Sequence, residues 1–280
     1  MIISLTQKEE QAVMAAQGNK KFKKKSFRDF QFMEMDVTSE FIKPGNSFGR
    51  LSLVTTPIGD FHDITVRALR ILEETPYLVC EDTKETSRLL RFFNFKKELH
   101  LLNEHNEDEA VAECIKQLLA GVDVALVSDC GTPAFADPGL KLVNECINYN
   151  IEIDFIHGAN SVLSALTVSG FDISRFFFYG FLSPKKEIRV KELKSIASLP
   201  HPVILMDTPY RLKNLITDLN DVVPERRIFL AMDLSTSNEK HIRGKASDLL
   251  DELQVLFGED KPKAEFIVVV DKHQKEKPVE

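Results

Sequence analysis

The run Leu51-Ser52-Leu53-Val54-Thr55 breaks at Thr56-Pro57-Ile58-Gly59-Asp60, and an amphipathic pattern begins directly after it. A strand, a tight Pro/Gly/Asp turn and a helix in immediate succession form the unit from which parallel sheets are wound. Asp63 is the expected N-cap, and Ile64, Ala68, Leu69 and Leu72 then share one helical face. The unit recurs. Strands are expected at 51–55, 77–80, 124–127 and 151–156, with helices between them, including one over Lys84–Phe92. This alternation predicts an α/β fold with helices covering a parallel sheet. A helix over 161–168 ends at the turn signal Ser169-Gly170. A second series follows, with strands at 176–181, 203–206, 227–232 and 264–270 and helices at 188–198, 210–219 and 246–256. The break places a domain boundary near 171–175.

Composition narrows the function. At 43% hydrophobic residues, the 280-residue chain can fill full cores. No apolar run approaches the length of a membrane span, and the first residues do not read as a signal peptide, so a cytoplasmic protein without a membrane partner is expected. Cys80, Cys114, Cys130 and Cys146 are scattered, which reads as reduced thiols. No His/Cys cluster has ligand spacing, so no metal site is expected. The net charge is −7, but residues 1–50 carry nine Lys/Arg against six Asp/Glu. The hexad Lys20-Lys21-Phe22-Lys23-Lys24-Lys25 is either an arm that meets RNA phosphates or a solvated tail.

The strand-end turns lack both G-x-G-x-x-G and G-x-x-x-x-G-K-[ST], which argues against a dinucleotide or ATP. Instead the chain carries T-P-I-G-D with D-I-T-x-R-A-L at 56–69, Glu81-Asp82-Thr83, His105-Asn106-Glu107, and S-D-C-G-T-P-A-F-A-D-P-G at 128–139. Together and in this order they resemble the bacterial 16S ribosomal RNA (cytidine 2′-O)-methyltransferases, a branch of the tetrapyrrole methylase superfamily. The resemblance covers roughly residues 50 to 270. It implies two α/β domains, 49–172 and 173–272, with S-adenosylmethionine in the cleft between them. It also implies ribosomal RNA of the small subunit as partner and a homodimer. Residues 1–48 are then an extension with the basic segment, and 273–280 a charged tail.

By resemblance, the cofactor is bordered by Pro57, Ile58 and Gly59 in the first turn, by Ser128, Asp129, Gly131 and Thr132 in the second, and by Met206. Asp129 serves either the donor's ribose or amino group, or its own loop as an Asx turn. Methyl transfer to a ribose hydroxyl needs positioning and a base. Glu81 at a strand tip is the first candidate base, and His105 the second because its side chain titrates near neutrality. Asp82 reads either as a second carboxylate or as a helix cap. Lys185, Lys186, Arg189 and Arg211 are candidate phosphate contacts, and Arg211, retained from the family's E-S-x-H-R pattern, is also a candidate catalytic residue beside Glu81 and His105. Pro133, Asp137 and Pro138 read as turn structure.

The sequence departs from the family pattern at two places. His157 stands in 156–161 where the family has a proline. Met232, Asp233 and Thr236 stand where it has Arg, Glu and Lys. Because two cations are lost, two alternatives stay open. One is a methylase of another acceptor, either a tetrapyrrole-like small molecule or another RNA. The other is a catalytically silent paralogue that binds RNA.

Overall fold

The computed structural model describes residues 48–258, 260 and 263–272, all within one compact unit, Asn46–Glu280. The Lys20–Lys25 hexad, residues 1–47 of the extension and the 273–280 tail lie outside the described residues.

The first series gives β1 (Leu51–Val54), α1 (Val66–Glu74), β2 (Tyr77–Cys80), α2 (Thr83–Phe92), β3 (Leu99–Leu101), α3 (Glu107–Leu119), β4 (Val124–Val127), α4 (Leu140–Asn148), β5 (Ile153–Ile156) and α5 (Ser161–Ser169). The five strands form one parallel sheet in the order β3-β2-β4-β1-β5. β1 and β4 are buried along their whole length. That is why both read as continuous apolar runs, since a parallel sheet is covered on both faces. Leu53, Val79 and Leu126 pack on one face against Cys114 and Leu118 of α3 and Leu142 of α4. Val54, Leu78 and Val127 pack on the other against Leu72 of α1 and Leu89 of α2.

One local detail differs from expectation, and another settles between two readings. Asp63 lies in a single 3-10 turn, Phe61–Asp63, capped by Asp60. The helix begins later, where Thr65 Oγ1 accepts from the Ala68 amide at 3.2 Å. Asp82 caps α2, its carboxylate accepting from the Lys84 amide at 2.6 Å.

The second series gives β6 (Phe177–Phe181), α6 (Lys186–Ala197), β7 (Val203–Asp207), α7 (Leu212–Val222), β8 (Ile228–Met232), β9 (Lys240–Gly244), α8 (Ala246–Phe257) and β10 (Phe266–Val270). Their sheet runs β6-β7-β10-β8-β9. Only β6 and β7 pair in parallel, and the remaining pairs are antiparallel. Leu205, Leu230 and Val268 face Leu215 of α7 and Leu249 of α8. The opposite face takes Val162, Ala165 and Leu166 of α5 against Ile204, Phe229 and Ile267. The helix that closes the first series therefore covers the second sheet. Arg243 of β9 fastens it there. Its guanidinium lies 4.6 Å from the Phe229 ring centroid and donates to the Val168 and Ser169 carbonyls at the end of α5.

Candidate active site at the strand ends

A parallel sheet gathers the loops that follow β1, β2, β4 and β5 at one edge. Here they are tied to each other. Thr56 and Gly131 exchange backbone hydrogen bonds of 2.8 and 3.2 Å, joining the turn after β1 to the loop after β4. The buried Ser128 hydroxyl lies 3.3 Å from the Cys130 carbonyl within that loop. Gly131 has φ +81°, and the nearest atom to an added Cβ would be Ile58 Cγ2 at 3.5 Å. Ala134 and Ala136 of the same loop also hold positive φ, 61° and 69°. Such backbone is costly for alanine and persists only where neighbours enforce it. One enforcing contact is Phe135, whose ring lies 4.9 Å from Phe178 of β6. On the other side of the turn, a Cβ on Gly59 would come within 2.5 Å of the Leu234 carbonyl. The turn therefore rests directly on the backbone after β8.

The same edge concentrates carboxyl groups. The Asp82 amide donates to Asp129 Oδ1 at 3.0 Å, binding the β2 loop to the β4 loop. Half-buried Glu81 is thereby held among Asp137, Asp129 and Asp82. Burial first, then the nearby charge of Asp137 and Asp129, pushes its carboxyl up to about 7. Burial likewise pushes Asp137 up to about 6, against a hydrogen bond from Ser128 that lowers it. Asp129 is also raised, chiefly by desolvation. Each ionised carboxylate at this desolvated edge raises the cost of ionising its neighbours, so these groups titrate as a set. Asp137 is thus part of the carboxyl cluster, although its Pro/Gly setting reads only as a turn in the sequence. Glu265, just ahead of β10, was not singled out in the sequence at all. It adds negative charge beside Cys130, and its own carboxyl is raised by burial and then by Asp233.

The other candidates are placed differently. His105 is exposed, with its ring 3.7 Å from the Glu104 carboxylate. Arg211 Nη2 pairs with buried Asp207 at 2.8 Å and donates to the Leu182 and Ser183 carbonyls at 2.8 and 3.2 Å. Arg189 is buried, bonded to Asp218 at 2.7 Å and to the Ser183 and Pro184 carbonyls. Both arginines thus hold the 182–184 segment from within, and of the four basic candidates only Lys185 and Lys186 are exposed. Met206 is partly buried in the cluster that contains Phe178 and Leu234, the residues that meet the first-series loops.

The substituted segment after β8 also has a structural account. Met232 is buried in the core between the second sheet and its helices, in register with Phe266. An apolar side chain suits that buried position. Asp233 has φ 49° and accepts from the Glu265 amide at 3.0 Å. Thr236 donates its hydroxyl to the Asp233 carbonyl at 2.8 Å. A cleft of about 470 Å³ lies where this loop meets the turn after β1 and the loop after β5. Among the described residues no group of His, Cys, Asp or Glu is arranged to hold a metal ion, and no helix is long and apolar enough to cross a membrane.

The comparisons with known proteins fit this arrangement of loops. The family described as Tetrapyrrole (Corrin/Porphyrin) Methylases matches residues 50–250. The chain belongs to this family. It is similar to a protein of Thermotoga maritima named ribosomal RNA small subunit methyltransferase I, with 37% identity over 79% of this chain and 98% of that one. A protein of the same name from Synechocystis is 38% identical over 79% of this chain and 78% of its own length. Among solved structures, a diphthine synthase superposes with a TM-score of 0.65 at 18% identity, over 80% of this chain and 90% of the other, which speaks for the fold. As a tetrapyrrole methylase, the chain is a methyltransferase that uses S-adenosylmethionine. Its strand-end loops suit that cofactor. The side-chain-free, left-handed Gly131 leaves room for backbone to approach a ligand, and the carboxyl groups around Glu81 offer acceptors to a cationic donor that carries two ribose hydroxyls and one ammonium group.

Proposed function

We propose that this protein methylates RNA of the small ribosomal subunit, at the 2′-hydroxyl of a cytidine ribose. The observation that carries the reading is the likeness to the Thermotoga protein over 98% of that protein's length. The disposition of the carboxyl groups supports the chemistry. Donor and acceptor would meet between residues 49–172 and 173–272, an assignment supported by the two sheets, whose strands lie within 51–156 and 177–270. In this reading the protein acts in the cytoplasm and as a homodimer.

S-adenosylmethionine supplies an already activated methyl group when bound. The chain's own residues then have two tasks. The first is positioning. The Thr56–Gly131 pair fixes the backbone of Pro57, Ile58, Gly59, Gly131 and Thr132 against the donor, with Ser128 and Asp129 bracing their loop and Met206 on the second sheet. The second is proton removal. A ribose hydroxyl is a weak nucleophile, and a positioned base is worth roughly a hundredfold to ten-thousandfold. Glu81, with its carboxyl at about 7, is matched to accept that proton at neutral pH. Arg211 acts as a positioning residue through the 182–184 segment. His105, exposed on Glu104, has a weaker case as base than Glu81.

The test is transfer of tritiated methyl groups to 30S subunits from a strain lacking this gene, followed by digestion to nucleosides. Label in 2′-O-methylcytidine supports the reading. Label in another nucleoside shifts the acceptor. No label, with S-adenosylmethionine still bound in calorimetry, removes the ribosomal assignment in favour of another acceptor.

A further inference from the structure

The cleft of about 470 Å³ is lined by Ile58, Asp63, Thr65, His157, Ser164 and Ser235, among others. It adjoins the proposed transfer site through Ile58, the residue that also faces Gly131. Three properties define what it takes. First, none of its lining residues is Lys or Arg, and its one carboxylate is Asp63, so it disfavours a phosphate. Second, its lining includes an aromatic residue, His157. The exposed His157 ring stands edge-on to Phe155, centroids 5.0 Å apart at 79°. Third, that residue is held in place. The His157 carbonyl accepts from Thr65 Oγ1 at 3.2 Å, and the following Gly158 sits so close to Thr55 that an added Cβ would come within 2.9 Å. Both segments in which the sequence departs from its family pattern, at His157 and at the loop containing Ser235, meet here.

We infer that this cleft receives the nucleobase of the methyl acceptor, stacked on His157 with the exocyclic amine of a cytosine donating to Asp63. The inference rests on the RNA reading above. Unpaired RNA bases are read by stacking on aromatic side chains and by hydrogen bonds to their edges. A carboxylate accepts from the cytosine amine, whereas uracil presents a carbonyl oxygen at that position and is repelled. His157 in place of a proline therefore adds a stacking surface, and no phosphate grip is needed at this point.

The experiment measures binding of fluorescently labelled pentacytidylate and pentauridylate to the full chain by anisotropy. The wild type is expected to bind pentacytidylate at least fivefold more tightly. Asp63→Asn should reduce that preference below twofold, because an amide serves either base. His157→Ala should weaken both ligands at least fivefold, and His157→Phe should restore them. S-adenosylmethionine affinity should stay within twofold throughout. An unchanged preference in Asp63→Asn, no preference in the wild type, or wild-type binding by His157→Ala would overturn the inference. A wild type with the expected preference that nevertheless labels no 30S subunits would overturn the ribosomal reading while leaving the cleft assignment standing.

Discussion

Thr56 and Gly131 donate to each other's carbonyls at 2.8 and 3.2 Å, and this reciprocal pair holds the two loops assigned to the methyl donor in one register. Gly131 keeps its side of the pair at φ +81°, where any side chain is strained although space is available. Gly131→Ala is therefore expected to destabilise the fold by about 1 kcal/mol and to weaken S-adenosylmethionine binding at least tenfold. Calorimetry and a melting curve check both. Wild-type affinity with a lowered melting temperature would detach this loop from the donor.

The carboxyl cluster gives a pH signature. Glu81 as base must be ionised, so kcat/KM is expected to rise as pH passes through about 7. Asp137 is the largest charge holding that value up, after burial. Asp137→Asn should move the acidic limb of the kcat/KM profile down by roughly one pH unit. Glu81→Gln should lower kcat at least a hundredfold with little change in donor affinity. An acidic limb that stays near 7 in Asp137→Asn would assign it to another group.

The same groups affect stability, with a definite sign. Their carboxyls are raised in the folded state, Glu81 from the ordinary 4.5 to about 7 and Asp137 from 3.8 to about 6. Their favourable contribution is thus fully present below the ordinary values and is lost as pH climbs through the raised ones. The melting temperature of Glu81→Gln should exceed that of the wild type at pH 8, and the gap should close at pH 4. A gap that persists at pH 4 would mean the substitution acts through packing.

The sequence shows the parallel half of the fold clearly, because burial on both faces writes strands such as Leu51–Val54 and Val124–Val127 as unbroken apolar runs. It hides β9, whose Lys240-His241-Ile242-Arg243-Gly244 is a polar edge strand paired on one side only, and β3, which spans three residues. It also misplaces the first helix start, because the extra 3-10 turn at Phe61–Asp63 leaves Thr65 as the cap. In the site, turn signals mark the right loops. Side-chain commitments within them are invisible in sequence. Arg189 and Arg211 read as phosphate contacts, yet buried Asp218 and Asp207 claim them. Met232 reads as a lost charge at a cleft, yet it fills a core.

Arg211 and Asp207 supply a further prediction. Asp207 is buried, and its carboxyl is raised by burial even with the arginine beside it. Arg211→Ala leaves that carboxylate without its ion pair and should cost about 3 kcal/mol of stability near neutrality. The deficit should shrink as falling pH protonates Asp207, and Asp207→Asn in the same chain should recover part of it. Chemical denaturation at pH 5 and pH 8 measures this. A deficit independent of pH would remove the ion pair as its cause.

For the extension, the prediction concerns salt. If Lys20–Lys25 meets phosphates, deleting residues 1–48 should weaken binding to 30S subunits and flatten its log–log salt dependence, each lost contact changing the slope by roughly 0.7 to 0.9. Equal slopes for the two proteins would make the extension a passive tail.

The most direct test of the central claim is nucleotide-resolution mapping of ribose methylation in small-subunit RNA, in a strain lacking this gene and in the same strain carrying wild-type or Glu81→Gln protein. The predicted result is one cytidine whose 2′-O-methyl group is absent in the deletion, restored by the wild type and not restored by Glu81→Gln. A methylation map identical in the deletion and the parent would contradict the assignment of this protein to the ribosomal RNA ribose.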